Sequence, residues 1–134
     1  MLRMYTLCLA GIVGLGLGAT GCGSGSGHGG QYFDAAWSLA WAGGGSVSCT
    51  GAGVVEVDLD VQDFYNGAVY HDQFDCAAYG GMSQILPVDD YTVALRAYDD
   101  ANVQVGEWDF TGTYPIDVGV VTNLPDITLP ISAH

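Results

Sequence analysis

Between Val54 and Asp63 the side chains alternate with a period of two: Val55, Val57, Leu59 and Val61 interleave with Val54, Glu56, Asp58 and Asp60. Successive side chains of an extended strand point to opposite faces, so this pattern specifies a strand with one face on a core and one in water. A core-facing helix needs apolar residues three and four apart, and no window of the chain supplies that spacing convincingly.

The same period recurs on both sides of this segment. Phe33, Ala35, Trp37, Leu39 and Trp41 alternate with Asp34, Ala36, Ser38 and Ala40, and Ala42-Gly43-Gly44-Gly45 ends the run. Asn66-Gly67 is a tight-hairpin signal, leading into a shorter strand from about Ala68 to Cys76. Ala77 to Ser83 reads as a glycine-bearing loop. Leu86 to Tyr98 predicts another strand, with Tyr91, Val93, Leu95 and Ala97 inward. Asp99-Asp100-Ala101-Asn102 predicts a turn, because Asp and Asn bond their own backbone and tolerate left-handed geometry. Val103 to Phe110 returns as a strand, with a bulge where Gly106 breaks the alternation. Ile116 to Val121 and Asn123 to Ile131 predict one or two final strands, which Pro125 and Pro130 mark as an edge or an interrupted strand. About seven short strands, with no internal repeat, predict an all-β fold: a single antiparallel two-sheet sandwich over residues 31–134.

Leu86-Pro87, followed by Asp90-Tyr91-Thr92-Val93 and the turn at Asp99, is similar to the L-P-x-G-x-Y-x-V segment of prealbumin-like and carboxypeptidase-regulatory-like bacterial modules, with an aspartate in place of their glycine. Gly119 to Leu129 is similar to the last hairpin of those modules. The resemblance implies a prealbumin-like sandwich that binds or spaces rather than catalyses, while an immunoglobulin-like or fibronectin-like strand order stays open.

The N-terminus has a different character. Met1 to Tyr5 carries one positive charge, Arg3; an uncharged, mostly apolar run follows from Thr6 to Gly18; then Ala19-Thr20-Gly21 precede Cys22. This is the layout of a secretory signal, and the run is too short for a transmembrane helix, which needs about 20 apolar residues. Ala19-Thr20-Gly21-Cys22 resembles the bacterial lipobox, with Ala19 where leucine is usual. That resemblance implies a lipoprotein signal peptide over residues 1–21 and a Cys22 that carries acyl chains such as palmitate; the ordinary alternative is a secreted protein cut at the same small residues. Residues 22–30 then comprise the lipidated cysteine and a Gly/Ser tether of about 16 Å. Glycine after the lipidated cysteine is compatible, in that family, with sorting to the outer membrane. Gly25 to Gly30 also matches G-x-G-x-x-G, but that pattern binds dinucleotides only between a strand and a helix, and here it sits in plain Gly/Ser.

With Cys8 inside the signal and Cys22 lipidated, Cys49 and Cys76 remain to pair in an exported, oxidising compartment; two buried free thiols are the alternative. No CxxC or HxxxH spacing completes a zinc site.

Fifteen Asp and Glu face only two cations, Arg3 and Arg96, and removal of the signal leaves Arg96 alone. A body so acidic is repelled by phosphate backbones, so nucleic acid is excluded as a partner and membrane contact falls to the lipid anchor. Arg96 points away from the core by phase and is expected to pair with a carboxylate on a neighbouring strand. His28, His71 and His134 have no spacing to a nucleophile or to one another, and no G-x-S-x-G elbow exists, so no catalytic residue and no cofactor is expected.

Two ligand classes have candidate residues. Asp89, Asp90, Asp99 and Asp100 sit in turns from which loops at one end of a sandwich would offer oxygens to calcium, although no D-x-[DN]-x-[DN]-G loop occurs and acidic turns are commonly just solvated. Tyr65, Tyr70, Tyr79 and Tyr98 fall in loops or off the inner phase, and a flat exposed row of them would stack on sugar rings. Scattered surface tyrosines are the ordinary alternative. The expectation is a lipid-anchored, exported, non-enzymatic interaction or accessory module of the cell envelope, meeting an envelope protein or polysaccharide and facing the periplasm or the cell exterior. The alternative is a small-ligand binder, for carbohydrate or calcium, on the same fold.

Overall fold

A computed structural model describes residues 30–132. The expected signal peptide, Cys22, His28, His134 and the expected tether up to residue 29 lie outside the described residues.

Among the described residues ten strands form: β1 (Tyr32–Trp41), β2 (Ser46–Val47), β3 (Val54–Asp63), β4 (Val69–Asp75), β5 (Gly80–Met82), β6 (Asp89–Asp99), β7 (Gln104–Asp109), β8 (Tyr114–Ile116), β9 (Val121–Asn123) and β10 (Ile127–Ile131). Between them lie one helical turn, α1 (Cys49–Ala52), and a 3₁₀ turn (Cys76–Ala78). The strand order is β2-β1-β10-β7-β6-β3-β4, with β5 and β9 joined to β1 and β8 to β6. The fold is all-β, and the sheet curls into a half-barrel.

The pairing is not wholly antiparallel, as the alternation alone suggested. β9 and β10 both run parallel to β1, β9 along Tyr32 to Asp34 and β10 along Trp37 to Trp41. Between the two pairings the register advances by one residue, at the Leu124-Pro125-Asp126 segment, where Leu124 N–H donates to Asp34 O. β10 is also an interior strand, flanked by β1 and β7, rather than an edge. Pro130 is tolerated because the pairing with β7 falls at Ile131, opposite Gly106, and at Ser132, whose N–H donates to Val105 O.

The long strands follow the predicted phases. Phe33, Ala35, Trp37 and Leu39 of β1, Val57, Leu59 and Val61 of β3, and Tyr91, Val93, Leu95 and Ala97 of β6 are all buried. Each large side chain so buried contributes about 1.5–3 kcal/mol relative to exposure. Val55 departs: a register irregularity between Val54 and Glu56 turns Val54 inward and leaves Val55 exposed. β2 and β5, of two and three residues, are too short to show a period and are missed from sequence. The strand expected from Ile116 to Val121 is instead a turn, in which Val120 N–H donates to Asp117 O, between the three-residue β8 and β9. β5 occupies the segment read as a loop.

Two local devices position the site. The β3–β4 connection is a four-residue loop, closed by Asp63 N–H donating to Ala68 O, not a two-residue turn centred on Asn66-Gly67. The Asp63 carboxylate holds it by accepting from the N–H groups of Tyr65 (2.9 Å) and Asn66 (3.0 Å). The second device is the Cys49–Cys76 disulfide, which ties α1 to the 3₁₀ turn after β4. Ser48 caps α1 by accepting from Gly51 N–H, and Trp37 Nε1 donates to Cys76 O beneath the bridge.

Candidate functional site

The outer face of the β4-β3-β6-β7 sheet carries the densest polar constellation among the described residues. Register places Asp60 opposite His71, Asp58 opposite Arg96 and Gln73, and Arg96 opposite Glu107. The side chains link across four strands. His71 Nε2 lies 3.2 Å from Asp58 Oδ2, while its Nδ1 meets Asp60 Oδ1. Asp60 Oδ2 accepts from Arg96 Nη1, and Arg96 Nη2 lies 3.7 Å from Glu107 Oε2. Arg96 thus pairs with carboxylates on both neighbouring strands, as expected.

Asp58 is the unusual member. It is 3% exposed, and its Oδ1 has no hydrogen-bond partner among the described residues. Burial first, then the neighbouring Glu56 carboxyl, pushes its pKa up to about 6. The hydrogen bond to Asp60 raises the pKa of His71, outweighing partial burial. The imidazolium is therefore favoured, and a cation bridges two carboxylates that would otherwise repel.

Beside this row lies a shallow trough of about 530 Å³, lined by Asp60, Gln62, Thr92, Ala94, Arg96 and Phe110 among others. Its floor is open because Ala94 presents only a methyl group on this face.

The calcium candidates do not converge. Asp89 and Asp90 begin β6, whereas Asp99 ends it, about 33 Å away at the rise of an extended strand, and Asp100 follows. Asp99 Oδ1 is committed to the N–H groups of Ala101 and Val103, and Asp90 Oδ2 accepts from Tyr65 Oη. Among the described residues, no three His, Cys, Asp or Glu side chains are arranged to hold a metal ion.

The tyrosines form no flat row either. Tyr65 stands at the β3–β4 loop, 71% exposed, edge-on to Phe64. Tyr70 packs inward against Tyr91, Tyr79 Oη accepts from Cys49 N–H beside the disulfide, and Tyr98 lies at the far end of β6. The alternation of β4 sends Tyr70 to the core face, and the left-handed backbone of Tyr79 turns that ring toward α1.

His71 has a partner set that its isolated position in the sequence did not reveal. Asp58 and Asp60, two apart on one strand, and a histidine across the next hairpin are the legible signal. A two-residue turn at Asn66-Gly67 would instead have set Asp60 opposite Gln73.

No family model and no curated protein matches the chain. Among solved structures, the chain is similar to a leucine-rich repeat protein from Bacteroides thetaiotaomicron, with a TM-score of 0.42 and 12% identity over 76% of this chain. The match spans 14% of that protein's length.

Proposed function

We propose that this chain is a lipid-anchored, exported, non-enzymatic module of the cell envelope, held at the outer membrane through Cys22 and the 22–30 tether. The β domain is read as a prealbumin-like or immunoglobulin-like sandwich that serves as an interaction or accessory unit. The observation that carries this reading is Ala19-Thr20-Gly21-Cys22 behind a short apolar run. The Cys49–Cys76 bridge supports it, because disulfides persist in oxidising compartments. The test is the intact mass of protein extracted from membranes. The expected species lacks residues 1–21, carries acyl chains on Cys22 and keeps the disulfide. Recovery in the soluble fraction with residues 1–21 attached overturns the reading.

The trough beside Arg96 supports a second reading, a small polyhydroxylated ligand such as a carbohydrate. Carboxylate, amide, hydroxyl and guanidinium groups surround the Ala94 methyl and the Phe110 ring there. Titration with soluble oligosaccharides should shift the Thr92, Ala94 and Arg96 amide resonances; unchanged resonances at millimolar sugar exclude it.

A further inference from the structure

β4 stands at one end of the strand order. Among the described residues β4 pairs with β3 alone, through seven consecutive residue pairs without a register break. The ladder phase follows from the hairpin: Asp63 N–H bonds Ala68 O, so in an antiparallel pair Tyr70, Asp72 and Phe74 turn their backbone groups toward β3. Val69, His71, Gln73 and Asp75 therefore present theirs outward, and these four residues are also the exposed ones. No backbone or side-chain hydrogen bond among the described residues reaches them from the open side. Natural sheets blunt such edges with lysine, proline, a bulge, very short length or other charges; β4 has no lysine, proline or bulge and runs seven residues, and its charges, Asp72 and Asp75, repel an acidic strand but not a cationic one. By contrast β2 has two residues, and β5 and β9 have three each.

The charge around this edge selects its occupant. Asp72 and Asp75 lie on β4, and Glu56, Asp58 and Asp60 lie on the adjoining strand. The nearby cations are already engaged, His71 between Asp58 and Asp60, and Arg96 between Asp60 and Glu107. A second copy of this chain fits poorly, since the sequence carries a formal charge of −13 and two-fold pairing centred on β4 sets Asp72 against Asp72. On the inner side, Gln84 N–H donates to Asp72, and the neighbouring segment leaves Met82 and Ile85 more than half exposed.

We propose that the free edge of β4 is a docking site for an extended, lysine- or arginine-bearing segment of a partner protein, which adds as a further strand beside Val69, His71, Gln73 and Asp75. Backbone hydrogen bonds to the edge provide the register. Alternate cationic side chains meet the acidic outer face, and the residues between them meet Phe74, Met82 and Ile85. This names the partner class for the interaction reading above and rests on that reading of the domain, but not on the lipid anchor.

The test uses the full chain and a capped seven-residue peptide that alternates lysine with valine, compared with its glutamate–valine counterpart. Binding of the lysine peptide should slow amide exchange at Val69, His71, Gln73 and Asp75 and weaken as salt rises. Gln73→Pro removes an outward N–H without touching the β3 ladder, and should weaken binding at least about tenfold. Asp75→Lys, a change at an exposed site, should also weaken it. Equal binding of both peptides, unchanged exchange at the four amides, or undiminished binding to both variants overturns the proposal. Protection of the same amides before peptide is added overturns it too, assigning the edge to a second copy if it depends on protein concentration and to residues 1–29 if it does not. The anchor is judged separately by mass and membrane partition, so its failure leaves the peptide result intact.

Discussion

Asp58 sets burial against charge. Its carboxyl is enclosed, one oxygen lacks a partner, and Glu56 stands beside it, so the folded state holds a proton there up to about pH 6, where an unfolded aspartate lets go near 3.8. Because the folded pKa is the higher, the fold loses stability as pH rises through the interval from about 4 to 6. His71 acts in the same sense: its raised pKa adds stability that is fully present below its ordinary 6.5 and is lost as pH climbs through the folded value. The groups facing the pair are Glu56 and Asp60 on β3, Asp72 on β4, and Arg96 and Tyr98 on β6. The melting temperature is therefore expected to be higher at pH 5 than at pH 7.5. Asp58→Asn should flatten the profile between pH 4 and 6 and raise stability at pH 7.5 by about 1 kcal/mol, a few degrees. Calorimetry across that range checks both, and a profile that falls on acidification from 7.5 to 5 contradicts them.

At the scale of elements, the β6–β7 pair turns on one glycine. The register irregularity there lies at Val105-Gly106, and a Cβ added at Gly106 would stand 2.7 Å from Ile131 Cδ1 and 2.8 Å from Pro130 O. The bulge therefore brings β10 against β7 at a distance only glycine allows. Gly106→Ala should cost about 2 kcal/mol. Gly43→Ala, in the β1–β2 turn with nothing within 4 Å of the new methyl, should stay within about 0.5 kcal/mol. Urea midpoints at constant slope compare the two. A Gly106→Ala variant as stable as the parent would mean that β10 shifts freely against β7.

Across the whole molecule, the Cys49–Cys76 bridge is the longest-acting restraint, because it limits the unfolded chain as much as the folded one. It closes 27 residues of sequence, the span that contains β3 and β4. Replacing both cysteines by alanine should cost about 3–4 kcal/mol, measured by denaturant unfolding against the oxidised parent. That is a large part of the 5–15 kcal/mol typical of a domain. A loss below about 1 kcal/mol would show that the unbridged chain is already confined. Reduction of the parent should reproduce the double variant.

Local alternation sufficed to read the long strands. The inward residues of β1 from Phe33 to Leu39, of β3 from Val57 onward and of β6, the turn at Asp99 to Asn102 and the bulge at Gly106 follow from period two and turn chemistry, which act over a few residues and need no knowledge of neighbours. What strand neighbours whom was decided only by tertiary packing. The parallel return of β9 and β10 along β1, and the interior position of a strand containing Pro130, depend on contacts between residues about ninety apart. The acidic row was half legible: Asp58 and Asp60 share a face by alternation, but their meeting with His71 hangs on the loop closed by Asp63 and Ala68. Moving that closure to a two-residue turn shifts the register by two residues, keeps every side chain on its face and puts a glutamine where the histidine stands. Faces are set by neighbouring residues along the chain, whereas partners across strands are set by loop closure and core packing, and that is where sequence periodicity stops being informative.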